Sequence, residues 1–235
     1  KIRYSVYVVR NALIVGSWNI KRGNGRLVQQ GRLIEDQLPD IMGIQEAVQN
    51  RTSPGVVDNL LSLRTKTMKH TLFSATLKYA SGLQYGIGIL SRYKILSSEV
   101  IPLTSLDKEP RVLQKVVFSV DGRKVSFYNT HFSYESSTIR LKQFSETLSV
   151  LEKDTNKYKI LVGDFNAQAK EFAKIKGYQV INAADTKFYG YDGKEFKKTT
   201  VDNIVVSKSF TVLNARMIDS TLSDHKPLFA YLRFD

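Results

Sequence analysis

The distribution of apolar residues along this chain predicts a protein built mainly from short β-strands. Most apolar runs are strand-sized, carry many Val and Ile side chains, and end at Gly, Pro, Asn or Asp. We predict strands over residues 12–20, 41–46, 71–79, 85–91, 95–103, 112–120, 123–132, 159–162, 201–207, 211–217 and 227–234. The pair Asp121-Gly122 separates two of these runs and is typical of a tight hairpin turn.

A few stretches have helical spacing or helical boundaries instead. We predict helices over residues 26–38, 56–63, 138–153 and 170–176. Pro39 ends the first of them and Gly177 the last. The third is the strongest, with Ser136 or Ser137 available as its N-cap. Its apolar residues recur at helical spacing at Leu141, Phe144, Leu148 and Leu151.

Strands interspersed with helices, without an internal linker or a low-complexity segment, predict an α/β sandwich in a single domain over residues 1–235. A chain of 235 residues is long enough to bury one large core. Hydrophobic residues make up 42% of it and charged residues 24%, which is typical of a globular protein and excludes a disordered one. No apolar run approaches the roughly 20 residues of a membrane-spanning helix.

The charge of the chain narrows the class of partner. It has 35 Lys and Arg against 22 Asp and Glu, a formal net charge of +13. This charge favours a protein that binds anionic partners, such as nucleic acid, lipid headgroups or phosphorylated small molecules. The alternative is a basic surface that serves only solubility. The absence of cysteine excludes disulfides and thiolate zinc sites. With no initiator Met in the sequence, a cytoplasmic and a secreted location both stay open.

Polar side chains collect at the ends of several predicted strands. They are Asn19, Glu46, His131, Asp164, Asn166, Asp202, Asp224 and His225. Each residue by itself fits a turn or an ordinary surface position, but their joint occurrence at strand ends indicates one site assembled from distant segments. Carboxylate and amide oxygens without sulfur favour Mg²⁺, with Mn²⁺ or Ca²⁺ as alternatives. A divalent ion with histidine–carboxylate pairs and amide donors is suited to hydrolysis of phosphate esters.

These segments resemble the motifs of the endonuclease/exonuclease/phosphatase superfamily, whose fold is that of deoxyribonuclease I. The matching segments occur in the family's order over residues 12–232. They are Trp18-Asn19, Gln45-Glu46, residues 86–92 (GIGILSR), Glu109-Pro110-Arg111, Asn129-Thr130-His131, Arg140 with Gln143, residues 163–166 (GDFN), residues 201–204 (VDNI) and Ser223-Asp224-His225.

The resemblance implies a four-layer α/β sandwich in which two packed mixed sheets are flanked by helices. It also implies that Glu46 binds the metal, assisted by Asn19 and Asp224. By the same resemblance, Asp164 and Asn166 face the phosphate and the attacking water. Asp202 orients His225, and His131 contacts the phosphate. The resemblance places Arg111, Arg140 and Gln143 near the substrate or behind the site. The number of metal ions stays open, as does the choice between Asp164 and the Asp202–His225 pair as the group that activates water.

The position of Asp224 next to His225 sets a geometric condition. Adjacent side chains on a regular strand point to opposite faces, so both can serve one site only at an irregular edge before Pro227.

Two segments of the sequence bear on the choice of substrate. Residues 187–198 interleave aromatic side chains with lysines, and residues 21–26 add positive charge after Asn19. Such segments can stack bases and neutralise phosphates. The segment 187–198 fits a surface turn or docking onto lipid headgroups equally well. We therefore expect a monomeric, divalent-metal-dependent phosphodiesterase, favouring an endo- or exonuclease acting on DNA. The alternatives are a phosphatase or phosphodiesterase acting on inositol phosphates or phospholipids, and a non-catalytic anion-binding module.

Overall fold

The computed structural model describes residues 11–52 and 57–235 and is dominated by strands. The strands are β1 (Ala12–Asn19), β2 (Ile41–Asn50), β3 (Val57–Asp58), β4 (His70–Lys78), β5 (Gln84–Ser91), β6 (Ser97–Leu103), β7 (Arg111–Val120), β8 (Arg123–His131), β9 (Tyr158–Asp164), β10 (Tyr178–Val180), β11 (Tyr189–Tyr191), β12 (Phe196–Lys198), β13 (Asp202–Ser207), β14 (Phe210–Met217) and β15 (Leu228–Phe234). The helices are α1 (Leu27–Gln37), α2 (Asn59–Leu63), α3 (Ser137–Lys153) and α4 (Ala169–Phe172), and Lys21–Gly23 form a short 3₁₀ turn.

Two mixed sheets contain most of these strands. The first runs β14-β15-β1-β2-β5-β4, with β3 paired to β2, and the second runs β10-β13-β9-β8-β7-β6. In the part of the chain that the structure describes, each sheet has one parallel pair, β1 with β2 and β8 with β9. Helices α1 and α3 provide the long crossovers that these parallel pairs require.

Alternation of side chains along the strands produces three apolar layers. In β1, Leu13 and Val15 point between the two sheets and pack against residues of the second sheet such as Phe127. Trp18 points outward and packs with α1 and α2. On the other side, Phe144 of α3 packs on the outer face of the second sheet. The layers are helices, sheet, sheet, helices, so the predicted four-layer α/β sandwich is confirmed.

The observed helices follow the predicted ones with shifted boundaries. Ser136 caps α3 by accepting a hydrogen bond from the Ile139 N–H at 3.2 Å. Leu141, which the helical spacing placed on the buried face, is 51% exposed, because the buried face is rotated toward Gln143. The predicted helix 56–63 begins with the short strand β3, and Val56 lies outside the described residues. No helix within residues 11–52 and 57–235 is long and apolar enough to cross a membrane.

The sequence did not predict the hairpin of β11 and β12. Among the described residues, these three-residue strands pair only with each other, as a separate two-stranded sheet. The hairpin is attached to the domain where the Thr199 N–H donates to the Phe188 carbonyl at 2.9 Å, and Phe188 is buried in the core between the sheets. It stands beside the ends of β9 and β13, where the candidate site lies.

Candidate active site

The site lies where the inward-facing rows of several strands change from apolar to polar. In β9 the row reads Ile160, Val162, Asp164, and in β13 it ends at Asp202. Asp202 pairs with Asp164, and His131 at the end of β8 pairs with Asp164 on its other side. Because inward rows of neighbouring strands end at the same edge, three polar side chains meet at the end of the sandwich core.

A β-bulge brings Glu46 into the same site. Between Ile44 and Ala47, two residues of β2 oppose a single residue of β5. Glu46 has a φ of 53°, an uncommon conformation for a residue with a side chain. In a regular strand its side chain would share the outward face with Met42 and Ile44. Instead its Oε2 accepts a hydrogen bond from Asn19 Nδ2 at 2.5 Å.

Asp164 is the centre of the cluster. Its Oδ2 lies 3.5 Å from His131 Nε2 and 3.4 Å from His225 Nε2, and it accepts a hydrogen bond from Asn19 Nδ2 at 3.0 Å. The Asn166 N–H donates to its other oxygen at 3.1 Å. Burial raises the pKa of Asp164 to about 6. The carboxylate of Asp202 adds to this rise, while His225 and the hydrogen bonds oppose it.

A guanidinium group lies behind the first histidine. Arg111 contacts His131 Nδ1 at 2.9 Å, so Nδ1 accepts and the ring carries its proton on Nε2, facing Asp164. Burial and the positive charges of Arg111 and His225 lower the pKa of His131 well below its ordinary value. His131 is therefore a neutral hydrogen-bond donor toward the cleft.

A carboxylate lies behind the second histidine. Asp202 Oδ2 is 2.7 Å from His225 Nδ1. Burial by itself would lower the pKa of His225, but the carboxylates of Asp202 and Asp164 raise it to about 10. Asp224 and His225 both precede β15 and lie outside any strand, as the shared-site condition requires.

The donor set fits a divalent cation. Glu46 and Asp224 line the cleft together, next to Asp164. Burial raises the pKa of Glu46, and the neighbouring carboxylates Asp164 and Asp224 add to that rise, while Asn19 and His225 oppose it. A bound divalent cation would relieve this crowding of carboxylates, and oxygen donors are what Mg²⁺, Mn²⁺ and Ca²⁺ prefer.

A second grouping of possible ligands consists of Asp164, Asp202 and His225, whose ligand atoms lie within 4.8 Å of one another. It is less suited to a metal, since Nδ1 of His225 is occupied by Asp202 and the carboxylates hold the ring in its protonated form. The carboxylate pair of Glu46 and Asp224 is the better candidate, with Asn19 beside it. The Asn19 side chain presents Nδ2 to Glu46, while its Oδ1 accepts the Lys21 N–H at 3.1 Å.

The remaining predicted residues lie near the cleft or behind it. Asn166 lines the cleft, with a φ of 49°, and its Nδ2 donates to the Phe132 carbonyl at 2.8 Å. Gln143 is fully buried and accepts from the Ser133 N–H at 2.9 Å, which fixes the loop after β8. Arg140 donates to the Ser133 carbonyl at 3.1 Å and pairs with Glu171. Gln143 and Arg140 thus support the loop that follows His131, and neither lines the cleft.

The cleft itself has a volume of about 430 Å³. Several residues that sequence reasoning did not assign to the site also line it, among them Arg22, Tyr79, Tyr85, Tyr134 and Tyr191. The ring of Tyr191, from the hairpin, meets the His225 ring edge-on at 6.5 Å between centroids. Of these residues only Arg22 and Tyr191 belong to the two basic or aromatic segments that the sequence marked as substrate loops. A larger groove of about 660 Å³ between α3 and α4 contains none of the cleft's carboxylates or histidines.

A buried hydrogen-bond network holds the two sheets in register beside the site. Gln45 of the first sheet donates from Nε2 to Asn129 Oδ1 of the second at 2.9 Å. Asn129 donates back to the carbonyls of Ile44 and Gly88 at 3.2 and 2.8 Å. A Cβ at Gly43 would lie 2.5 Å from Asn129 Oδ1, so glycine is required there. Gln45 and Asn129 precede Glu46 and His131 closely, so this network sets how the two halves of the site face each other.

Comparison with known proteins gives the same fold. The structure is similar to an endonuclease/exonuclease/phosphatase from Beutenbergia cavernae DSM 12333, with a TM-score of 0.76 and 19% identity over 95% of this chain and 72% of that one. It is similar to one from Bacteroides vulgatus, with a TM-score of 0.76 and 16% identity over 95% and 99% of the two chains. A truncated Caenorhabditis elegans TDP2 gives a TM-score of 0.70 and 19% identity over 94% and 98%. No curated protein matches the sequence.

The family assignment rests on the sequence as well as on the fold. A model described as "Endonuclease/Exonuclease/phosphatase family" matches residues 16–225, which is most of the chain and runs from the middle of β1 to His225. The resemblance inferred from the sequence is thereby confirmed. The chain belongs to the endonuclease/exonuclease/phosphatase family, whose members are divalent-metal-dependent hydrolases acting on phosphate esters.

Proposed function

We propose that this protein is a divalent-metal-dependent phosphodiesterase that cleaves nucleic acid, with DNA as the favoured substrate and Mg²⁺ as the favoured ion. The observation that carries the proposal is the position of Asp164, flanked within 3.5 Å by a ring nitrogen of His131 and of His225. A cluster that combines a buried carboxylate, a neutral histidine and a charged histidine can move a proton and neutralise developing negative charge in one place.

The site residues divide the chemical work. Glu46 and Asp224, with Asn19, would hold the cation, which when bound supplies positive charge that polarises a phosphoryl oxygen. His225 has its Nδ1 proton engaged by Asp202, so its Nε2–H is the group available to a phosphoryl oxygen. Asp164, the acceptor between the histidines, is placed to take the proton of the attacking water.

Two donors complete the site from the second sheet. His131 presents its Nε2–H to the cleft, because its Nδ1 accepts from Arg111. Asn166 lines the cleft and is held by the Phe132 carbonyl. Donors fixed by the protein before the reaction stabilise the charge of a transition state without having to reorganise.

Charge and aromatic side chains support nucleic acid as the substrate class. The chain carries a net charge of +13. In the hairpin, Tyr189 stacks on Phe196 at 5.7 Å, and Lys226 lies 4.9 Å from the Phe196 ring. Lysines and exposed aromatic rings beside a cleft suit a phosphate backbone that carries flat bases.

The experiment is cleavage of supercoiled plasmid, single-stranded DNA and RNA oligonucleotides in Mg²⁺, Mn²⁺, Ca²⁺ and EDTA. We expect Mg²⁺-dependent cleavage that is abolished by EDTA and by His225→Ala or Asp164→Ala. His70→Ala is the matched control, since His70 lies on β4 and does not line the cleft.

Parallel assays use inositol phosphates and sphingomyelin. Hydrolysis of these compounds without cleavage of nucleic acid would overturn the proposed substrate class. Absence of EDTA-sensitive activity on every phosphodiester tested would overturn the proposed activity.

A further inference from the structure

The segment between Asn19 and α1 has an unusual backbone. All five residues from Lys21 to Gly25 have positive φ, including the non-glycine residues Lys21, Arg22 and Asn24 at 49°, 54° and 47°. This left-handed conformation is unfavourable for residues with a Cβ and persists only where surrounding contacts impose it. We refer to residues 21–25 as the left-handed loop.

The contacts that hold this loop come from both sides of the site. The Lys21 N–H donates to Asn19 Oδ1 at 3.1 Å. Asn24 Nδ2 donates to the Leu222 carbonyl at 3.2 Å, and Gln30 Nε2 bonds the same carbonyl at 3.1 Å. Leu222 directly precedes the Ser223-Asp224-His225 segment. The left-handed loop is therefore tied both to the residue beside Glu46 and to the segment that carries Asp224.

Arg22 is the residue that the loop presents to the cleft. Its guanidinium carbon lies 4.9 Å from the centroid of the Tyr85 ring, and its Nη2 lies 3.5 Å from the Tyr79 hydroxyl oxygen. Tyr85 is almost fully buried, so it offers a fixed surface for the guanidinium. Arg22 lines the same cleft as Glu46 and Asp164.

Within residues 11–52 and 57–235, Arg22 has no carboxylate within ion-pair distance. The other arginine of the cleft, Arg111, is 3% exposed and already contacts Glu109 and His131. Arg22 is therefore the cleft guanidinium whose hydrogen-bonding edge is left for a ligand. A guanidinium presents a planar fork of donors that matches the oxygens of a phosphate.

We infer that Arg22 is a specificity-determining residue that binds the phosphate next to the scissile one, so that the site selects substrates with consecutive phosphodiesters. The inference rests on the proposed function. A cleft of about 430 Å³ has room for more than one phosphate, and Arg22 approaches it from the first sheet while His131, Asp164 and Asn166 approach from the second.

The test is binding of a fluorescein-labelled oligothymidylate in EDTA, followed by anisotropy at several salt concentrations. We expect Arg22→Gln to weaken binding about tenfold and to reduce the slope of log Kd against log salt by about 1, as loss of one phosphate contact does. Arg22→Lys should fall between wild type and Arg22→Gln, because charge is kept and the planar fork is lost. Arg32→Gln is the matched control, since it removes the same charge from an exposed residue of α1 that does not line the cleft, and it should change Kd less than about twofold.

A kinetic arm separates the neighbouring phosphate from the scissile one. Bis(p-nitrophenyl) phosphate has a single phosphodiester, so Arg22→Gln should leave its hydrolysis within about twofold of wild type while raising KM for the oligonucleotide about tenfold. Equal losses on both substrates, or wild-type binding by Arg22→Gln, would overturn the inference. If wild type binds through Arg22 but cleaves no phosphodiester, the proposed function fails, and with it the place of Arg22 beside a scissile phosphate; only the phosphate contact of Arg22 then stands.

Discussion

The two histidines of the site have the same neighbour at Nε2 and neighbours of opposite charge at Nδ1. His131 and His225 place their Nε2 atoms 3.5 and 3.4 Å from the same oxygen of Asp164. Behind His131 lies the guanidinium of Arg111, and behind His225 lies the carboxylate of Asp202. The pKa of His131 is lowered and that of His225 is raised, so one ring is neutral and the other charged.

The comparison shows that the group bound to Nδ1 of an imidazole decides the charge of the ring, and therefore how its Nε2 acts in the site. Both rings are buried, and burial favours the neutral form of each. The difference therefore comes from the partner of Nδ1, which also decides whether this atom accepts or donates a hydrogen bond. One carboxylate between a neutral and a charged ring is able to accept a proton while a fixed positive charge stays beside it.

Breaking the charged half of the pair should have the largest effect. Asp202→Asn removes the carboxylate that holds His225 protonated and oriented, so we expect kcat to fall by about 100- to 10,000-fold. The measurement is steady-state cleavage of an oligonucleotide at saturating Mg²⁺. Asp185→Asn, an exposed aspartate on the surface, serves as the control. Near-wild-type kcat in Asp202→Asn would refute the role assigned to the pair.

A metal titration distinguishes effects on the histidines from effects on the cation. We expect Glu46→Gln to raise the Mg²⁺ concentration for half-maximal activity by about 10- to 100-fold, because a charged ligand is lost. Asn166→Ala should shift this midpoint much less, since the Asn166 side chain donates to a backbone carbonyl and its proposed partner is the phosphate, not the cation. Equal midpoints in the two variants would count against Glu46 as the main ligand.

Breaking the neutral half should cost less. Arg111→Met removes the positive charge behind His131, so the pKa of His131 should rise toward its ordinary value of 6.5. We expect activity to fall about tenfold at pH 8 and further as the pH drops to 6, because a protonated His131 would pair with Asp164. The pH–rate profiles of the variant and of wild type provide the measurement, and parallel profiles would contradict the assigned cause.

The variant with the smallest expected effect allows the protonation states of the two rings to be measured directly. With His70→Gln, only His131 and His225 remain for nitrogen-15 NMR in EDTA. As pH falls through 6.5, His131 should stay neutral with its proton on Nε2, and as pH rises past 6.5, His225 should stay charged until pH approaches 10.

The raised pKa of His225 also determines how the stability of the folded protein changes with pH. The stabilising contribution of charged His225 is complete below pH 6.5 and is lost as pH rises toward about 10. Two histidines that titrate together near pH 6.5 would show that the groups behind the rings do not differ in effect.

The sequence predicted those parts of the site that continue a regular alternation. Asp164 follows Ile160 and Val162 on one face of a strand, so the two-residue period of a strand predicts its inward position. Glu46 breaks the alternation of β2 because of the bulge, so its position at the end of a predicted strand and the resemblance to the family marked it, but the strand period did not. The partnership of Arg111 with His131 has no local signal, since the two residues lie on neighbouring strands.

Short or strained segments were the least predictable. The strands of the hairpin have three residues each, too few for a periodic pattern, and Gly190 within it reads as a turn. The left-handed loop contains Lys21 and Arg22, residues with no preference for positive φ, so their conformation comes from tertiary contacts. The sequence thus predicted the sandwich, most of the cluster and the two wall segments that contain Arg22 and Tyr191, but not the rest of the cleft walls.

The hydrogen bonds of Gln45 and Asn129 have a consequence for how this enzyme can be rebuilt. Because Glu46 belongs to one sheet and Asp164 to the other, the site exists only as a property of the interface between them. A chimera that combined the first sheet of this protein with the second sheet of a relative could fold well and still be inactive. Its activity would depend on whether the grafted halves restored the hydrogen bond from Gln45 to Asn129, which makes this pair the natural place to begin recombining members of the family.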